Sequence, residues 1–270
     1  MRTKTKFLAV PYLLWMTIFI IAPLLFVAYF AFTDSAGNFS FQNIIKLGDY
    51  IPVFITSIWL GAVAAFLCLI IAYPVAYFIA NTSEKWQKFL IMLIMLPMCM
   101  SFLLRTIAWV SLLSDNGIIN NTLTAIGLSP LPLIRNNGAV ILGMVYNYLP
   151  FMIMPLYTVL VKMDSSVINA ARDLGANSFQ VFRRVILPMS LPGIVTGITM
   201  VFVPAVSTFY ISRKLGNTSL TMIGDVIESQ FKTAYNPNLG AAMSLGLMVL
   251  IFICMGIMNR FSKDEEDILL

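Results

Sequence analysis

Asp225 and Glu228 stand three residues apart, so a helix places both carboxylates on one face. Arg105 lies within an apolar run, where a guanidinium is expensive and turns toward protein or water. There is no histidine in the chain, which removes the commonest general base and the commonest metal ligand. Cys68, Cys99 and Cys254 each sit inside an apolar run, with no C-x-x-C pair among them. That is the pattern of unpaired core thiols. The dipeptide Gly-Lys never occurs, so ATP cannot be held by a G-x-x-x-x-G-K-[ST] phosphate loop. A membrane enzyme would need catalytic groups clustered near one face, and an ion-coupled carrier would need an acid deep in an apolar run. Neither pattern occurs, and no metal or cofactor is expected in this chain.

The densest local signals lie in residues 162–188. Asp164 suits the N-cap of a helix starting near Ser165. Gly175 ends that helix or turns it sharply. Asn177 or Ser178 can cap a second short helix through Phe182 and Arg184, and Pro188 marks the turn into the next apolar run. The expected product is an amphipathic helix–turn–helix with Phe179, Phe182 and Val185 along one side. A segment tied at both ends to apolar runs cannot easily enter a DNA groove. Lipid headgroups or a protein partner remain as the surface it meets.

The elements around these residues follow from composition. Hydrophobic residues make up 59% of the chain and charged ones 11%, with a mean hydropathy of +0.88. A soluble domain carries about 25% charged residues, so the expected solvent is lipid. Apolar segments cover approximately 7–32, 53–80, 89–113, 138–161, 189–212 and 238–259, each long enough to cross a bilayer. Pro74, Pro150, Pro155 and Pro204 lie inside them, which a membrane bundle tolerates. The first segment follows Arg2, Lys4 and Lys6 and outruns the roughly 7–15 apolar residues of a signal peptide, so it reads as an uncleaved span. With a cytoplasmic N-terminus, eleven basic residues fall on inner segments and five on outer ones, as the positive-inside rule requires. Six spans return the C-terminus to the cytoplasm, with Ser262 to Asp267 as a solvated end. The 114–137 segment reads as an outer loop with a short helix over 118–126. The fold class is an all-α membrane protein: one transmembrane domain over 1–270, with 162–188 as a cytoplasmic loop within it. The net charge of +5 is scattered between apolar runs and forms no stripe for nucleic acid.

Asn169, Ala170, Ala171, Gly175, Val185, Leu187 and Pro188 stand at the spacings E-A-A, three residues, G, nine residues, I, one residue, L-P. This resembles the EAA loop of permease subunits of binding-protein-dependent, type I ABC importers. Asn169 replaces the acid of that pattern, and Val185 replaces its isoleucine. The likeness runs over the full chain. Residues 149–157, 209–212 and 224–231 are similar to spermidine/putrescine permeases within that family.

The resemblance implies six transmembrane helices of the type I importer permease fold in a bacterial cell membrane. It implies a transporter subunit rather than an enzyme. A separate ABC ATPase homodimer would bind ATP and magnesium. It would grip the loop at Asn169, Ala170, Ala171, Asp173, Gly175, Ala176, Ser178, Phe182 and Pro188. A second homologous permease would complete the pore, and an extracellular binding protein would deliver substrate. A polyamine path would offer carboxylates and aromatic faces. Asp225 with Glu228 is the expected cation- or receptor-contacting pair, with Asp115, Trp109, Tyr146 and Tyr210 along the path and Tyr148 near the same outer ends. Arg105 would repel such a cargo and is expected to make a structural pairing instead, an acid on the partner permease being one candidate.

Overall fold

The computed structural model describes residues 11–34, 36–217 and 220–269. The basic cluster Arg2, Lys4 and Lys6 and the side chains of the 262–267 tail lie outside the described residues. The helices are α1 (Pro11–Ala31), α2 (Gln42–Ala80), α3 (Glu84–Met95), α4 (Phe102–Leu113), α5 (Ile118–Ala125) and α6 (Asn137–Leu160). They continue as α7 (Ser165–Asp173), α8 (Ser178–Met189), α9 (Leu191–Ser207), α10 (Tyr210–Leu215), α11 (Ile223–Lys232) and α12 (Pro237–Leu269). Among the described residues, five helical stretches are long and apolar enough to cross a membrane: α1, α2, α4 with α5, α6 and α12. The pair α8 and α9, bent by 63°, makes a sixth if it is one span.

Two expected spans are broken. The 89–113 run divides into α3, a tight turn over Leu96–Cys99 and α4. Pro97 lacks an N–H to continue the helix, and Met100 is extended, with ψ 148°. The 189–212 run starts anew at Leu191 and breaks again at Thr208, where ψ is 145°. The turn expected at Pro188 falls at Ser190. Pro188 is absorbed because the preceding turn, Phe182–Ile186, is a wide π turn in which the Leu187 amide donates to the Phe182 carbonyl.

The centre of the bundle is the packing of α2, α6 and α9. On α2 a buried stripe of Ser57, Gly61, Ala64, Cys68, Ala72 and Ala76 recurs every three or four residues. A Cβ at Gly61 would lie 2.6 Å from Val206 Cγ2. Gly193 and Gly197 are four apart on α9, and a Cβ there would lie 3.1 Å from the Pro155 carbonyl and 2.6 Å from Met152 Sδ. Lipid is as apolar as leucine, so close backbone approach and dispersion hold such helices together. Pro150 and Pro155 ride inside α6 without ending it. α1 packs on α12, and Asn238 ties their ends by donating to the carbonyls of Thr33 at 2.8 Å and Phe30 at 3.2 Å. Cys68 is a buried free thiol, whereas Cys99 is exposed rather than in a core.

Candidate coupling loop and substrate path

The 162–188 loop is held by its own caps. Asp164 accepts from the Ser166 amide at 2.8 Å, and its hydrogen bonds with Ser166 hold its carboxyl below the usual range. At the end of α7 the Gly175 amide donates to Arg172 O at 2.9 Å and the Ala176 amide to Ala171 O at 3.1 Å. That is a Schellman ending, and it needs a left-handed residue at its centre. Gly175 supplies it with φ of +84°, and nothing lies within 4 Å of where its Cβ would be. Asn177 and Gln180 form a reciprocal capping box at 2.9 Å each way, opening α8.

Of the loop residues singled out in the sequence, Asn169, Ala170, Asp173, Gly175 and Ser178 are exposed, while Ala171, Ala176, Phe182 and Pro188 are half-buried. The packed side of α8 is Val181, Phe182, Val185 and Ile186. Phe182 meets Tyr73 of α2 edge-on, with ring centroids 5.6 Å apart. Phe179 does not belong to that side. It lies one turn before the stretch that packs on α2 and is 69% exposed, as Leu174 is at 90%. Sequence reasoning missed the anchors beneath. The hydroxyls of Tyr73 and Ser190 are 2.9 Å apart. Tyr157 donates to Gln87 at 3.1 Å while Gln87 donates to Thr82 O, bracing the α2–α3 turn against α6. These pairs are 117 and 70 residues apart, so no local signal marks them.

On the expected path, Asp225 and Glu228 do share a face of α11, but neither is a solvated loop acid. Their side chains are 12% and 13% exposed. Arg213 of α10 spans both, with Nη2 2.6 Å from Glu228 and Nε 3.7 Å from Asp225. Lys232 reaches Glu228 at 2.8 Å. Asp225 also accepts from Ser212 Oγ at 2.7 Å and from the Met222 amide at 3.2 Å. Burial pushes the Asp225 carboxyl up, against the opposing pull of these hydrogen bonds and Arg213. A polar recess of about 270 Å³ opens beside Ser212, Arg213, Thr221 and Asp225.

Trp109 and Tyr146 stack edge to face at 5.3 Å. Tyr210 lies 6.1 Å from the Phe102 ring and carries Lys214 over its face at 5.9 Å. Asp115 is exposed in the turn between α4 and α5. Tyr148 is buried, and its hydroxyl donates to Pro204 O at 3.3 Å. Arg105 is 9% exposed, and its Nε and Nη1 have no hydrogen-bond partner among the described residues.

Residues 72–265 match the family described as "Binding-protein-dependent transport system inner membrane component". The chain belongs to this family. The permease is 35% identical over 259 residues to the spermidine/putrescine transport system permease protein PotB of Haemophilus influenzae, covering 92% of this chain and 91% of that protein. It is 35% identical over 254 residues to PotB of Escherichia coli, covering 88% and 92%. Its fold matches that of a bacterial ABC transporter that imports the acidic polysaccharide alginate, with a TM-score of 0.81 over 96% and 95% of the two chains. At 17% identity that likeness speaks for the fold alone. The permease is therefore an all-α, multi-pass membrane component of an ABC importer, a transporter subunit and not an enzyme.

Proposed function

We propose that the permease carries polyamines such as spermidine and putrescine into the cell. Likeness to two PotB proteins over about nine tenths of the chain supports that cargo. The observation that carries the mechanism is the α7–α8 segment, a loop whose two short helices are both capped and whose tip exposes Leu174 and Phe179. Such a body transmits force without unravelling. It docks on a separate ATPase homodimer, and that partner holds ATP and magnesium. Closure of the ATPase pushes α8 and, through the Tyr73–Ser190 contact, the bend into α9. A second, homologous permease completes the pore, and an extracellular binding protein delivers the cargo. Both termini and the 162–188 loop of the single 1–270 domain face the cytoplasm. The path passes Trp109, Tyr146 and Tyr210, with Asp115 at its mouth. Asp225 and Glu228 receive an ammonium group when Arg213 yields its place.

The test is radiolabelled spermidine uptake by the assembled complex in proteoliposomes. Putrescine should compete, sulfate and sugars should not, and uptake should need ATP. Uptake by this chain without the ATPase would overturn the mechanism, and competition by sulfate or sugar alone would overturn the cargo.

A further inference from the structure

The helix that carries the acid pair begins without a strong cap of its own. α11 starts after Met222, whose thioether is a weak acceptor. Asp225 reaches back and accepts from the Met222 amide at 3.2 Å. The next amide, that of Ile223, is buried, and a helix offers its first N–H groups no internal acceptor. Its partner comes from 166 residues away: Ser57 Oγ of α2 accepts from the Ile223 amide at 2.7 Å. The single hydroxyl proton of Ser57 is committed to Val53 O at 2.9 Å, so only its lone pairs serve α11. Ser57 and Ile223 are both fully buried, and bulk water does not compete for either group.

This bond fixes the aim of the acids. At 3.6 residues per turn, Asp225 and Glu228 lie roughly opposite Ile223 round the helix. Ile223 packs in the bundle core, and the acids are turned toward Arg213 of α10. An apolar cluster of Val226 with Leu47, Tyr50 and Val53 joins the same two helices, but that attraction has no direction. We infer that Ser57 is a positioning residue for cargo transfer: it caps α11 from a neighbouring helix and sets where Asp225 and Glu228 stand to receive an ammonium group. The inference rests on the reading that this acid pair lies on the cargo path.

Two measurements test it. The first reads the cap itself, in the assembled complex in nanodiscs. Spin labels at Ile55 on α2 and Thr233 at the end of α11, both exposed positions, report the distance between the two helices in a cysteine-free background. Ser57→Ala should shift or broaden that distance. Ser57→Thr keeps a hydroxyl that can bond the carbonyl one turn back, and should leave the distance as it was. An unchanged distance in Ser57→Ala would overturn the inference, whatever the cargo. The second measurement is radiolabelled spermidine uptake in proteoliposomes. Ser57→Ala should lower uptake about five-fold, the equivalent of one hydrogen bond, and Ser57→Thr should keep most of it. With Asp225→Asn already present, Ser57→Ala should lower uptake no further, because a positioning residue acts through the group it positions. Two losses that multiply, as independent sites give, would overturn the inference and leave Ser57 a packing residue. Full uptake by Asp225→Asn with Glu228→Gln, alongside a shifted distance in Ser57→Ala, would place the failure in the path reading and overturn the transport role of Ser57 with it.

Discussion

The Tyr73 hydroxyl meets the Ser190 hydroxyl at 2.9 Å, joining α2 to the point where the loop helices bend into α9. Ser190 is fully buried and also donates to Leu187 O at 2.8 Å. The bend therefore has two fastenings, one local and one to the centre of the bundle.

Removing the second fastening should loosen transmission more than it loosens the fold. A net hydrogen bond is worth about 0.5–1.5 kcal/mol, so Tyr73→Phe should cost no more than about 1.5 kcal/mol of stability. Transport per ATP should fall, as measured by parallel uptake and phosphate release in proteoliposomes. An unchanged ratio would reduce the contact to simple packing.

Gly175 is demanded by its backbone angle and not by crowding. Gly175→Val places a β-branched residue at φ near +84°, which costs roughly 1–2 kcal/mol and spoils the Schellman ending. The expected outcome is continued ATP hydrolysis with uptake reduced about ten-fold, since roughly 1.4 kcal/mol is a factor of ten. Gly175→Asn, a residue that tolerates the left-handed region, should keep most uptake.

Gly224 is limited by space. A Cβ there would lie 2.5 Å from Ser207 O and 2.6 Å from Thr208 O, both backbone atoms at the break between α9 and α10. Gly224→Ala should force α11 outward and cost about 1–3 kcal/mol, read as a lower melting temperature in nanodiscs. Gly48→Ala is the control, because nothing lies within 4 Å of its added carbon.

Asp225 has a definite pH signature. Its carboxyl is pushed up by burial, so the folded chain binds its proton more tightly than the unfolded chain does. The contribution of this group to stability is then largest below the ordinary carboxylate range and declines as pH rises through the raised folded value. Asp225→Asn should flatten that decline in a melting curve taken from pH 4 to 7. A slope that is unchanged would assign the pH dependence to another group.

Lipid as the solvent, the approximate spans and the caps of the 162–188 loop were legible in the residues alone. Each is a local property: run length, a side chain two or three positions from an amide, a glycine where the chain must turn left-handed. Asp164, Gly175 and Asn177 do what their types and positions require. Tertiary structure decided the rest. Whether an apolar run with proline stays one helix depends on neighbours that re-satisfy its backbone, so α6 survives Pro150 and Pro155 while the 89–113 run breaks after Pro97. The distances that join Tyr73 to Ser190 and Arg213 to Glu228 are set by how helices pack, and separation along the chain carries no record of them. For the same reason only the folded chain shows Arg105 closed in, with Nε and Nη1 lacking a hydrogen-bond partner among the described residues.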